Sequence, residues 1–474
     1  MSGDDRPTLV QQLAEFAVAA RNKVPQDVTV SVRQRILDVL GLCVAATELD
    51  TSKAALAFVA DQGGKPQAHA IGVGRVSAAW AAFGNGVLAH SLDYDDTHLP
   101  SILHPSASVV PAALATAERT GAPGDEVIGA VAAGLEICVR TGMAGYDREA
   151  NNSTFFEHGQ HATSICGAIG SAAAAALLLP GSDAKTVADA MGIAVSMASG
   201  VIEANRTGGT VKRMHCGWAA HSGVVAADLA HRGITGPPTA LEGRFGFYQA
   251  WLHGHFEPAE ISDGLGEHWE VPLVFFKPYP ANHFTHTAVD AARALREKGI
   301  RPEDVASAHL GVATPTVRTI GEPLDIKQKP ETGYQAQFSG PYAVAAGLFG
   351  GGGLAVGLED YTDALAQDPA RRELMAKVTV GGDSECDAIY PFQFPAILTV
   401  RTTDGREFVE KVLANRGGSD RPLTDAELAR KFRDNAGRVL PQSAISAVEA
   451  ATLTFGTAAG NTVADVMDML RFTV

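Results

Sequence analysis

Between Ala162 and Ser182 the chain runs for 21 residues without a charge, and most of them are Ala, Gly or Ser. A stretch like that has to be buried, in lipid or in protein. Small side chains gain little from lipid, and Pro180-Gly181 closes the run, so the expectation is a core helix and no membrane span. Ala and Gly also let helix axes come close, which makes a tightly packed bundle with short connections the natural host.

Neighbouring segments carry the same period. "LVQQLAEFAVAA" and "VSVRQRILDVLGLCVAA" repeat apolar residues at three-and-four spacing, and "PGDEVIGAVAAGLEICVR" opens with acids where a helix dipole favours them. Helical signals dominate from Leu9 to about Pro272. Between Arg301 and Val412 the period drops to two in "ASAHLGVAT", "AKVTVGG" and "AILTVRTTDGREFVEKV", the last with an Asp404-Gly405 turn. Helical character returns at "PLTDAELARKFRDNAG", where Thr424 and Glu427 have capping-box spacing, and continues to "VADVMDMLRF". The expected fold is mainly α: a large all-helical domain made of residues 1–272 and 414–474, with a smaller α+β domain, 273–413, inserted. A cleft between two domains is the default place for a ligand.

Composition limits the function classes. A formal charge of −15 supplies no basic face for a phosphate backbone, so nucleic acid is not an expected partner. Cys43, Cys138, Cys166, Cys216 and Cys386 show neither a C-x-x-C pair nor zinc-site spacing, which fits reduced, buried thiols in the cytoplasm. The start, "MSGDDRPTLVQQLAEF", is acidic ahead of its first apolar run, unlike a secretory or transit signal.

Titratable groups concentrate in "HSLDYDDTHLPSILHPSAS", His90 to Ser108. A helix from Ser77 to about Asp93 places Asp93, Asp95 and Asp96 at its C-terminal end, where the dipole disfavours carboxylates. Cations are therefore expected opposite them. Asp95 and Asp96 could instead simply cap the following loop through Asx turns. As D-x-D-D the cluster resembles the acid of class II terpene cyclases, but the clustered aromatics that a carbocation needs are missing. "DDTHL" also lacks the third Asp of the prenyl-synthase motif. His90, Asp93, Asp96, His98 and His104 are plausible ligands for a divalent metal, as in a metal-dependent hydrolase, yet their spacing matches no familiar metal motif.

Cations stand in two other places. "TGGTVKRMHCGWAAHSG" carries Lys212, Arg213 and His215 after a Gly-rich bend, and "FFKPYPANHFTH" carries Lys277, His283 and His286 beside two Pro residues. Lys ammonium groups converging on Asp, Thr and His would bind carboxylates and hold the negative charge that builds on an adjacent carbon. Elimination, decarboxylation and epimerisation all use such a carbanion.

The segments "FGNGVLAHSLDYDDTH", "HPSASVVPAALATAE", "HATSICGAIGSAAAAALLL", "VKRMHCGWAAHSGVVAADLA", "KPYPANHFTH" and "QFSGPYAVAAGL" resemble, in this order and over nearly the whole chain, the MmgE/PrpD family. Its members include 2-methylcitrate dehydratases, cis-aconitate decarboxylases and an iminodisuccinate epimerase. The resemblance implies a helical domain with an inserted α+β lid, a homodimer, no cofactor, and a small di- or tricarboxylate substrate. It implies that Asp93 and Thr97 line the pocket, that His104, with His161, moves a proton which Asp93 orients or shares, and that Lys212 and Lys277 are catalytic residues that bind carboxylates. Where the family commonly has Cys or His, this chain has Asn282, which can hydrogen-bond but does not exchange a proton near neutral pH. Asn282 and its neighbour His283 are counted as substrate-binding candidates. Dehydration of a 2-methylcitrate-like hydroxy acid is the first expectation. Decarboxylation and epimerisation are its alternatives, and a carboxylate-binding protein without turnover is the alternative of another class.

Overall fold

The computed structural model describes residues 6–150, 152–204, 209–457 and 460–473. The chain divides into two compact units, Met1–Val274 with Phe432–Val474, and Phe275–Lys431. The mainly α expectation holds. In the first unit the charge-free run forms the helix Ala162–Leu177, buried at every position. Helices Gly124–Met143, Ala184–Val195 and His215–His231 surround it. Glycine lets their backbones touch: a Cβ on Gly170 would stand 2.4 Å from the Gly134 carbonyl oxygen. No helix among the described residues is long and apolar enough to cross a membrane, and all five cysteines are free and buried.

A second close approach sets up the chemistry. A Cβ on Gly86 would lie 2.7 Å from Gly217 Cα, and one on Gly217 would lie 2.4 Å from the Phe83 carbonyl oxygen. The helices Ala78–His90 and His215–His231 therefore meet with no side chain between them at this point. The C-terminal end of one and the N-terminal end of the other are held together.

The first unit is not all-helical. Two short antiparallel hairpins interrupt it, Ala68–Ala70 with Gly74–Val76, and Tyr146–Asp147 with Asn152–Ser153. Gly72 and Gly74, both at positive φ, make the first reversal. Strands of two or three residues are too short to leave a period in the sequence.

The second unit holds the expected α+β part. Its sheet runs in the order Val378–Gly382, Val305–Val312, Ala396–Thr402, Glu407–Val412, with the first pair parallel and the others antiparallel. The last two strands join through the Asp404-Gly405 turn, Gly405 at φ +86°. Helices His286–Glu297 and Gly340–Phe349 pack against each other within this unit.

This unit extends further than residue 413. Phe276 N donates to the Gly417 carbonyl at 3.0 Å, and Arg421 pairs with Asp290 at 3.2 Å. Arg416 also reaches the Leu354 carbonyl. These bonds tie 414–421 to the sheet domain, although the local sequence there has no strand period. The boundary falls inside the helix Asp425–Ala436, which opens with the expected Thr424/Glu427 capping box.

Candidate active site

The helix Ala78–His90 ends with Asp93 in the left-handed region, φ +50°, its N–H donating to the His90 carbonyl. Asp tolerates that conformation better than most side chains. The turn spreads the three carboxylates of "DYDD" in different directions, and each meets a basic side chain. Lys212 Nζ is 3.3 Å from Asp93 Oδ1, His90 Nδ1 is 2.7 Å from Asp95 Oδ2, and Arg35 Nη1 is 2.7 Å from Asp96 Oδ2. All six side chains are buried. Burying this many charges is tolerable only because they are paired and hydrogen-bonded.

Arg35 and His90 are partners that sequence reasoning missed. Arg35 lies on the helix Gln26–Ala46 and also donates to the carbonyls of Val271 and Val274, at 3.1 and 2.6 Å. The signal was an Arg/Asp pair, Arg35 immediately before the apolar run "ILDVLGLCVAA" and Asp38 within it. Charges so placed on a buried helix need a reason.

Asp96 organises the loop that follows. Its carboxylate accepts from Ser106 N and Ser106 Oγ, and its backbone carbonyl lies 2.6 Å from His104 Nδ1. A carbonyl only accepts, so His104 Nδ1 carries the proton and the neutral ring keeps its lone pair on Nε2. Thr97 Oγ1 is 3.2 Å from the same nitrogen, and Thr163 Oγ1 accepts from His104 N. Between them the segment His98–Leu103 is closed by paired backbone bonds, with Ile102 at φ +52°. A β-branched residue there is strained, and such strain clusters at functional loops. His98 bonds Ser101 and Glu270 and so shapes this loop.

The imidazoles form a row. Ring centroids are 5.4 Å apart for His104 and His90, 5.7 Å for His90 and His161, and 5.0 Å for His161 and His215. His161 and His215 share a hydrogen bond between their Nδ1 atoms, 2.9 Å, in which one must donate and the other accept. Burial, reinforced by the charges of His90 and Lys212, holds His161 well below the usual histidine range and takes His215 down to about 4. The donors considered for a metal are spent on separate partners. Among the described residues no group of three His, Cys, Asp or Glu is arranged to hold one.

A pH dependence follows from the depressed histidines. The unfolded chain takes up protons on them below about pH 6.5, whereas the folded chain resists until near pH 4 at His215. Stability is therefore expected to be fully present above pH 6.5 and to be lost progressively as pH falls toward 4. Denaturant midpoints measured from pH 7 to pH 4.5 should show this slope, and His215→Gln should flatten it. An equal slope in both proteins would remove His215 as its source.

Lys277, Asn282 and His283 belong to the second unit. Lys277 and His283 are buried. Asn282 Oδ1 accepts from Phe284 N at 3.1 Å, capping the short turn His283–Thr285, and Asn282 N donates to the Gln337 carbonyl. The Asn therefore has a local capping role of its own. Asp93, Thr97, His104, His161 and Lys212 all lie in the first unit. Thr207 and Gly208, from the bend before Lys212, lie outside the described residues.

Comparison with known proteins gives a consistent picture. The MmgE/PrpD N-terminal domain matches residues 11–259 and the MmgE/PrpD C-terminal domain matches residues 279–454. Cis-aconitate decarboxylase of Homo sapiens is 30% identical over 377 residues, covering 77% of this chain and 74% of that protein. The Mus musculus protein of the same name is 29% identical over 79% of this chain and 75% of its own length. Cis-aconitate decarboxylase of Aspergillus terreus is 26% identical over 91% of this chain and 89% of its own.

Proposed function

Because this chain belongs to the MmgE/PrpD family, we propose that it is a lyase that decarboxylates a small unsaturated tricarboxylate of the cis-aconitate type. The similarity to cis-aconitate decarboxylases supports this choice over dehydration of a 2-methylcitrate-like acid, the first expectation from sequence. The family and these relatives make the chain an enzyme of the lyase class.

One observation carries the mechanism: the His104 Nδ1 contact with the Asp96 carbonyl. Decarboxylation breaks the bond to one carboxylate, releases CO₂ and leaves the electron pair on carbon, conjugated with the remaining double bond. A proton must then be delivered to carbon. As an imidazolium, His104 has Nε2–H to give while Nδ1–H stays on the Asp96 carbonyl. After transfer the ring is already in the neutral tautomer that the carbonyl holds. No reorientation is needed, which is what a preorganised acid requires.

Lys212 supplies positive charge at Asp93 for the remaining carboxylates, and Thr97 adds a hydroxyl beside His104. Lys277 is assigned a carboxylate on the strength of the family resemblance. The deciding experiment follows cis-aconitate, citrate and 2-methylcitrate by NMR in D₂O. CO₂ release from cis-aconitate with one deuterium retained on carbon is expected. Interconversion with a hydroxy acid and no CO₂ would replace this reaction by dehydration.

Lys212→Ala is expected to reduce kcat/KM by roughly a hundredfold, the usual scale for removing one electrostatic contact to developing charge. Lys212→Arg, which keeps the charge but alters its geometry, should lose less. Circular dichroism checks that each variant is folded, and near-wild-type turnover in the Ala variant would take Lys212 out of the mechanism.

A further inference from the structure

One buried pair has no task in the chemistry assigned to His104, Thr97 and Lys212. His90 and Asp95 are both enclosed, and His90 Nδ1 bonds Asp95 Oδ2 at 2.7 Å. His90 Nε2 is also buried and has no hydrogen-bond partner among the described residues. Leaving a ring nitrogen unsatisfied in the interior is destabilising. A fold stabilised by packing alone would favour an apolar side chain there. His90 is instead placed between the rings of His104 and His161, at 5.4 and 5.7 Å.

We propose that His90, held by Asp95, is a positioning residue for the proton chemistry at His104. Asp95 fixes the His90 ring as the Nδ1–H donor and balances a charge on it. The pair then sets how readily the neighbouring imidazoles take a proton, without touching substrate. It is closed off from solvent, so its field is little screened.

The surrounding charges are accounted for. Asp93 has Lys212 and Asp96 has Arg35, while His161 and His215 bond each other. His90 and Lys212 both oppose protonation of His161 and His215, as like charges do. Asp95 favours it. Removing the acid and removing the base should therefore move the row in opposite directions.

This inference rests on the proton role proposed for His104, and its test is built to separate the two. In the full-length protein without substrate, histidine ring titrations are followed by NMR in the wild type, Asp95→Asn and His90→Gln. Asp95→Asn should lower the titration midpoint of His104 by roughly 1 pH unit, and His90→Gln should raise it. The acid limb of the kcat/KM profile should move with each midpoint. A merely structural pair would change stability and the fraction of active enzyme, leaving both midpoints alone. Shifts of one sign in both variants, or none in either, would overturn the proposal. If His90→Gln does not fold, Asp95→Asn decides by itself, because an unmoved His104 midpoint is then fatal. Absence of turnover in the wild type with every acid tried would count against the decarboxylase reading, and the substrate-free titrations would still judge the pair.

Discussion

His104→Asn is expected to lower kcat by about a hundred- to ten-thousandfold, the range associated with losing a general acid or base. The substitution is chosen for what it keeps. The Asn amide nitrogen falls near the place of the imidazole Nδ1, so it can still donate to the Asp96 carbonyl, and the backbone bond from residue 104 to Thr163 Oγ1 is untouched. What disappears is the second ring nitrogen, the only atom of this side chain able to give a proton and take one back near neutral pH. KM should change much less than kcat, because the loss falls on the transition state. In D₂O the variant should also incorporate deuterium more slowly in proportion. A kcat within about tenfold of wild type would mean that the proton comes from another group.

The helical character was legible because the chain repeats it over long segments. Ala162–Leu177 announces a buried helix by having no charged face at all, and the sheet strands of the second unit show their period of two. Short elements were hidden for the opposite reason. The hairpin at Gly72 and Gly74 has strands of three residues, and 414–421 joins the second unit through side chains that answer partners more than a hundred positions away, such as Arg421 with Asp290. The need for cations opposite Asp93, Asp95 and Asp96 could be read from helix electrostatics, but which cations could not. Lys212 stood in a noticeable Gly- and His-rich setting, whereas the Arg35 and Asp38 signal named no partner. The close approach at Gly86 and Gly217, itself a property of two distant sequences, holds the two helices that carry His90 and His215 together.

Arg35 is also where the largest structural effect is expected. Arg35→Met should destabilise the first unit by about 3–5 kcal/mol, the cost of leaving one member of a buried ion pair behind. The guanidinium is 1% exposed and holds Asp96 Oδ2 together with the carbonyls of Val271 and Val274. Burial pulls its proton affinity down and Asp96 works against that, so the charge is retained through its partner. Met fills much of the same volume, which keeps cavity formation out of the result. The denaturant midpoint of Arg35→Met should fall markedly, and Asp96→Asn introduced into it should recover part of the loss by removing the orphaned charge. With Asp96→Asn alone closing the double-mutant cycle, a coupling of roughly 0.5–3 kcal/mol is the signature of the pair. A loss below about 1 kcal/mol would place Arg35 with weakly coupled surface ions. Activity should behave differently from stability in the double variant. Asn at residue 96 still offers Ser106 an acceptor and His104 its carbonyl, but the loop has lost the anchor that ran from Asp96 through Arg35 to Val274, so folding should return further than turnover.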